Sequence, residues 1–323
     1  MRTLAGLLKM NRRRLLLAAG FGAVLACCVS GAIPQQASPS DTDHLPTPSI
    51  AQEEPRADTS LAEEETKLRK ALERDPEAPA DLYQLGLVLR QENKPRDSLD
   101  AYTRAARLLK PNADQLRSVA LDYVLLNDYD DAIHWLRIAL TFDPNNVDVL
   151  YSLGRCLYTQ SSFPQAEEAF TRVLQLQPEH LKAEENLGLT LDAQNQPEAA
   201  EKALRTAAGW AEQRSLQDEW PFLDLGKFLL DRGRQAEALP FLSKAAHIAP
   251  ASAATHEELG RALVATGKSN DGIGELQAAA RLDPDNPKIH FELGHAYRDA
   301  GKLDQARDEF ALSKKLYGQH SHD

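Results

Sequence analysis

The chain has 323 residues, a formal net charge of −11 and a hydrophobic fraction of 42%, with aromatic residues at only 6%. Its first fourteen residues carry five basic side chains and no acidic one, so the remainder is still more acidic. Such an acidic body argues against nonspecific nucleic-acid binding, which requires a basic footprint. Two of the three cysteines adjoin in the N-terminal segment, which leaves Cys156 without a partner for an internal disulfide.

Residues 1–32 have the three-part pattern of a secretory signal. A basic stretch precedes an apolar run from Leu15 to Val29, and residues 30–32 offer a small-x-small cleavage site. Three outcomes stay open: soluble export, lipidation at Cys27, and retention as an uncleaved anchor, although the apolar run is short for a spanning helix. Met10 is an alternative start. We therefore expect an exported protein, periplasmic or membrane-anchored in a bacterial envelope.

The next two segments differ in composition. Residues 33–60 are rich in Pro and Ser and have no periodic apolar face, which predicts a disordered linker. Residues 61–76 read as a single helix with Leu68 and Ala71 on one stripe, ended by Pro76. Because no first helix precedes it, we interpret this segment as an N-terminal capping helix.

A period of 34 residues fills the rest of the chain, and it is most regular between Val147 and Glu179. There, apolar residues spaced by three and four predict two amphipathic helices that follow each other directly. The eighth and twentieth positions of the period are small and the twenty-fourth is large, which predicts interlocking helices. Turns such as Asp143–Asn146 and Asp283–Pro287 are expected to end one helix and start the next. Seven units result, at 79–112, 113–146, 147–180, 181–214, 219–252, 253–286 and 287–320.

With these positions in phase, the chain resembles a tetratricopeptide repeat protein from residue 79 to about residue 319. The resemblance implies an all-α, right-handed α–α superhelix of seven helical hairpins. Large apolar side chains at the fourth position are replaced in three repeats by Glu184, His256 and His290. Four extra residues precede the fifth repeat, flanked by Trp210 and Trp220, and we expect both indoles to fill the added space.

In the family that the chain resembles, the first helices of successive repeats line a concave groove through positions two, five, nine and twelve. Tyrosine and arginine are frequent binding anchors, so an extended or helical peptide with acidic groups is the expected ligand. The residues carried over to this chain as candidate partner-binding groups are Tyr83, Arg117, Tyr151, Arg155, Tyr158, Lys227, Arg261, Phe291 and Arg298.

The sequence contains no phosphate-cradling glycine loop, no GxSxG and no HExxH, so we predict no enzyme, no cofactor and no metal site. The predicted function is that of a non-catalytic protein-binding scaffold or assembly factor of the cell envelope. The alternative is a glycan- or peptidoglycan-associated accessory protein that uses the aromatic residues of the groove. No further helix covers the last repeat, so self-association through that repeat is also open.

Overall fold

The computed structural model describes residues 58–320, which form fifteen helices and no strand. The all-α class predicted from the repeat is confirmed. In chain order the helices are α1 Asp58–Arg74, α2 Pro79–Gln91, α3 Pro95–Leu108, α4 Ala113–Leu125, α5 Tyr129–Phe142, α6 Val147–Thr159, α7 Phe163–Leu176, α8 Leu181–Ala193, α9 Pro197–Gln213, α10 Trp220–Asp231, α11 Gln235–Ile248, α12 Ala253–Ala265, α13 Ser269–Leu282, α14 Pro287–Asp299 and α15 Leu303–His320.

Two predictions for the N-terminal part fall outside the described residues. These are the signal at 1–32, with its candidate lipidation site Cys27, and the Pro- and Ser-rich linker up to residue 57. The linker was expected to continue to residue 60, but α1 already begins at Asp58. Leu61 and Leu72 of α1 are buried, and α1 packs against α2.

The helices pack in two compact units, which divide between Leu176 and Gln177. The first unit holds α1–α7 and the second holds α8–α15. Within the first unit, α2 contacts α4 and α4 contacts α6; within the second, α8, α10, α12 and α14 contact in succession. Second helices of successive repeats show no comparable backbone approach among the described residues. The first helices therefore lie side by side along one face of each unit.

Several helices begin directly after a side chain that can accept a hydrogen bond from the first helical turn. Asn146 precedes α6 and its side chain accepts a hydrogen bond from the Val149 N–H at 3.0 Å. Before α4, Asn112 and Gln115 form a reciprocal capping box. These side chains satisfy N–H groups that the first helical turn leaves without a backbone acceptor.

The turn within each hairpin places its fifteenth residue in the left-handed region. In the first four repeats φ lies between 55° and 58°, and in the last three, which have glycine, it lies between 72° and 83°. Glycine and asparagine adopt this conformation at the lowest steric cost, which explains the composition of the position. The residues are Asn93, Asn127, Ser161, Asn195, Gly233, Gly267 and Gly301.

The two tryptophans beside the insertion behave differently from each other, so one prediction about them is wrong. Trp210 on the extended α9 is half-buried and packs against the core of the second unit. Trp220, the first residue of α10, is 37% exposed. The added residues form an exposed connection, and Trp220 therefore does not fill the space as expected.

Candidate partner-binding surface

We define the first-helix face as the surface formed by positions two, five, nine and twelve of the first helices. Because the two units are compact separately, each has its own first-helix face. The predicted residues Tyr83, Arg117, Tyr151, Arg155 and Tyr158 belong to the first unit. Lys227, Arg261, Phe291 and Arg298 belong to the second.

On the first unit, α6 brings together one cation and two aromatic rings. Tyr151, Arg155 and Tyr158 are all half-buried. The Arg155 guanidinium lies 5.9 Å from the centre of the Tyr151 ring, within cation–π range. The rings of Tyr151 and Tyr158 pack against Phe170 and Phe163 of α7, with centroids 6.0 and 5.5 Å apart. Arg155 forms no ion pair with any described residue, so its charge is available to an anionic group.

Arg117 of α4 is a second uncompensated cation on this unit. It is half-buried, and it forms no ion pair in the part of the chain that the structure describes. Its Nε atom is buried and donates to no acceptor there. A guanidinium in this state is costly unless an acceptor reaches it, and an acidic partner would supply one.

Tyr83 departs from its predicted role. Its side chain is only 7% exposed, and its hydroxyl donates a hydrogen bond of 2.7 Å to the Leu109 carbonyl oxygen. Burial raises the pKa of this phenol to about 12. Tyr83 therefore links α2 to the end of α3 and offers little area to a partner.

On the second unit, Arg261 of α12 is already engaged by carboxylates of its own chain. It pairs with Asp231 at 3.5 Å, with Glu292 at 3.7 Å, and with Glu258 at shorter range. Lys288 of α14 adds an ion pair to the buried Glu257 at 3.0 Å. Carboxylates of the same chain therefore surround Arg261, so it is less available to an acidic partner than Arg155.

The remaining predicted residues of this unit are spread over α10 and α14. Lys227 is half-buried, whereas Arg298 is exposed and lies 3.3 Å from Asp299. Phe291 is 46% exposed, and its ring packs edge-on against His295 with centroids 4.4 Å apart. An exposed phenylalanine beside an imidazole gives this end of the unit an aromatic contact area.

Sequence reasoning missed a pair of acidic side chains between α8 and α10. Glu185 is only 6% exposed, and its helix α8 contacts α10, which carries Asp224. Burial, reinforced by the charges of Asp224 and Asp218, raises the pKa of Glu185 well above its usual value. Burial likewise raises the pKa of Asp224 to about 7. The sequence signal for this pair was an acidic residue at two positions of consecutive repeats. Glu185 holds the fifth position of repeat four, and Asp224 holds the sixth position of repeat five.

A second missed group is the buried Asp122 of α4. Ser98 Oγ lies 2.7 Å from both the Gly86 carbonyl oxygen and Asp122 Oδ2. A hydroxyl has only one proton to donate, so the second contact requires a protonated Asp122. In agreement, burial raises the pKa of Asp122 to about 8. The sequence signal was an aspartate at the tenth position, where the other repeats have Val, Cys, Thr, Phe or Ala.

His256 and His290, which stand at fourth positions where other repeats have large apolar residues, make equivalent hydrogen bonds. Nδ1 of His256 lies 2.6 Å from Glu275, and Nδ1 of His290 lies 2.7 Å from Glu309. In both, Nε2 contacts the carbonyl oxygen of the proline six residues earlier, at 3.1 and 2.9 Å. A carbonyl only accepts, so each Nε2 carries a proton. Hydrogen bonds thus replace the apolar burial that Leu82, Leu116, Leu150 and Phe222 provide at the fourth positions of other repeats.

Reactive groups are sparse in the described part of the chain. Cys156 is fully buried, and burial raises the pKa of its thiol to about 12, so it is a packing residue. No three or more His, Cys, Asp or Glu side chains between residues 58 and 320 are arranged to hold a metal ion. Within the same range, none of the helices combines the length and apolarity that crossing a membrane requires.

Comparison with known proteins agrees with this architecture. The family model for the tetratricopeptide repeat matches residues 83–147, 118–180, 151–215 and 257–320, which together exceed half of the chain. Tetratricopeptide repeat-containing protein trd-1 of Caenorhabditis elegans is 28% identical over 146 residues, or 44% of this chain. The match covers only 18% of that protein, so this chain spans less than a fifth of the curated relative.

Two solved structures show the same fold. One is a tetratricopeptide repeat protein from Parabacteroides merdae, with a TM-score of 0.59 and 18% identity, covering 73% of this chain and 92% of that one. The other is PilW, described as a widely conserved type IV pilus biogenesis factor, with a TM-score of 0.58 and 17% identity. The match covers 64% of this chain and 94% of the PilW chain.

Proposed function

The chain belongs to the tetratricopeptide repeat family, and from this premise we propose that it is a protein-binding scaffold of the cell envelope. A partner segment lies along the first-helix faces, and the chain catalyses no reaction. The observation that carries the proposal is the α6 cluster, where Arg155 has no ion pair among the described residues and stands between two half-buried tyrosines. Aromatic rings beside a half-buried arginine have the composition of binding hot spots.

The partner segment for the first unit is acidic. Arg117 and Arg155 both lack an ion pair with any described residue, and the Nε atom of Arg117 is buried without an acceptor. A carboxylate-bearing peptide would satisfy these donors in the bidentate geometry that guanidinium favours. Steering by opposite charge would also increase the association rate.

The envelope location rests on the signal-like pattern of residues 1–32, and the fold shared with a pilus biogenesis factor is compatible with it. Export removes or lipidates the N-terminal segment, and the intact mass of the protein from its native host distinguishes these products from an uncleaved chain.

Self-association through the last repeat is supported by the exposure of Leu312 and Tyr317 on α15. A monomeric mass in solution at high concentration would rule it out.

The binding surface is tested by photo-crosslinking in the native host. A crosslinking amino acid replaces Tyr158 on α6 or, as the matched control, the exposed Thr171 on α7 of the same repeat. We expect the Tyr158 probe to capture a distinct protein that the Thr171 probe does not. Capture at Thr171 alone, or at neither position, would contradict the assignment of the first-helix face.

A further inference from the structure

The second unit contains the same arrangement of acidic residues twice, and only one copy has cations of its own chain in ion pairs with it. Glu257 holds the fifth position of repeat six, and Glu292 holds the sixth position of repeat seven. Two cations form ion pairs with these acids: Lys288 lies 3.0 Å from Glu257, and Arg261 lies 3.7 Å from Glu292. Lys288 occupies a second position and Arg261 a ninth position. The chain therefore supplies its own counter-ions to this copy.

In repeats four and five, Glu185 and Asp224 occupy the corresponding fifth and sixth positions. The two positions that carry the cations in the later repeats are here Leu189 and Trp220. Neither Glu185 nor Asp224 forms an ion pair within residues 58–320. Glu185 Oε1 is buried and accepts no hydrogen bond there. This copy thus has the acids of the motif without its cations.

We propose that Glu185 and Asp224 form a receptor for one organic cation of a protein partner, the guanidinium of an arginine or the ammonium of a lysine. The cation takes the place that Arg261 and Lys288 hold in repeats six and seven. Trp220 is 37% exposed and holds the second position of repeat five, which Lys288 holds in repeat seven, so its indole is available for cation–π contact. This inference rests on the proposed protein-binding function and specifies the chemistry of the partner on the second unit.

The state of the acids without a partner follows from their surroundings. Burial and the nearby charge of Asp218 favour the protonated form, whereas the charges of Lys182 and Lys227 oppose it without forming an ion pair. Protonation of one carboxyl also relieves the repulsion between the two charges. A bound cation favours the ionised form, so binding releases protons near neutral pH.

The test uses isothermal titration of the full chain with acetyl-Gly-Arg-Gly-amide, its lysine analogue and its citrulline analogue. Citrulline keeps the shape of arginine and lacks its charge. We expect saturable binding of a cationic peptide at least tenfold tighter than that of the citrulline peptide. Titration at pH 6.5 in buffers of different ionisation heat should show proton release. The arginine and lysine peptides distinguish guanidinium from ammonium.

Two variants separate the receptor from general effects on folding. Glu185→Gln removes an acid, and Leu189→Arg supplies the internal cation that repeat six already has; both should weaken the cationic peptide at least tenfold. Leu189 is half-buried and packs against the core of the second unit, so circular dichroism first checks the fold of both variants, and each variant that folds decides the question. Equal heats for the arginine and citrulline peptides, or wild-type binding by the folded variants, would overturn the receptor. Crosslinking at Tyr158 of the first unit is independent of this outcome, so the two proposals fail separately.

Discussion

The eighth position of the repeat is glycine in six of the seven repeats, and one packing contact accounts for it. A Cβ atom built on Gly154 would lie 2.6 Å from Cε1 of the fully buried Phe170. The same clash recurs between Gly226 and Leu242, where the distance is 2.5 Å. The large residue at position twenty-four thus fills the space that the glycine leaves, and the two positions are coupled through packing.

This coupling predicts opposite effects for two glycine substitutions. Gly154→Ala should destabilise the protein by about 1–3 kcal/mol, because the new methyl group overpacks a closed core. Gly209→Ala is the matched control, since nothing lies within 4 Å of its Cβ position on α9. It should stabilise the protein by about 0.5–1 kcal/mol through helix propensity. Urea unfolding followed by circular dichroism measures both, and equal effects would contradict the packing argument.

At the scale of the helix, the buried Asp122 joins three elements of the first unit. Its carboxyl meets Ser98 of α3, and Ser98 in turn meets the Gly86 carbonyl of α2. Both Ser98 and Asp122 are fully buried, and Asp122 Oδ1 accepts no hydrogen bond from a described residue. Such a partly satisfied polar group makes the stability of this helix trio depend on the proton that Asp122 holds.

The pH dependence follows from the direction of this pKa shift. Burial raises the pKa of Asp122 from 3.8 to about 8, so between these values the folded chain holds a proton that the unfolded chain has lost. The contribution to stability is fully present below pH 4 and is lost as pH rises to 8, by at most about 1.4 kcal/mol per pH unit. Asp122→Asn should therefore flatten the decline in unfolding free energy between pH 5 and pH 8.

The comparison of the variant with the wild type isolates Asp122 from Glu185 and Asp224, which contribute with the same sign. Asp130→Asn at an exposed site on α5 is the control for a lost carboxylate. Chemical denaturation at four pH values provides the measurement. If Asp122→Asn kept the wild-type slope, the carboxyl would not be the group that titrates.

For the whole molecule, the sequence was sufficient for the fold because the repeat is periodic. The spacing of apolar residues and the Asn146 turn placed α6 and its neighbours, since each signal is local and recurs seven times. The two compact units could not be inferred, because no local signal marks a boundary at Leu176. The exposed Trp220 was missed for a related reason: an inserted connection has no repeat partner that fixes its side chains.

The candidate surface was predictable only in part. Positions two, five, nine and twelve located Arg155, but position alone does not show whether an arginine is already paired. Arg155 has no ion pair among the described residues, whereas Arg261 contacts three carboxylates of its own chain. The hydroxyl of Tyr83 bonds to the Leu109 carbonyl at the end of the other helix of its own repeat, and the spacing pattern does not show this contact. Side-chain pairing between repeats therefore decides which groups are available to a partner.

The role of the α6 cluster in partner binding is tested most directly by the affinity of the crosslinked partner for two charge-reversal variants of one repeat. Arg155→Glu changes the first-helix face, and Arg172→Glu makes the same charge change on the exposed side of α7. We expect at least a tenfold loss of affinity, about 1.4 kcal/mol, for Arg155→Glu and wild-type affinity for Arg172→Glu. Unchanged binding by Arg155→Glu, or an equal loss in both variants, would contradict it.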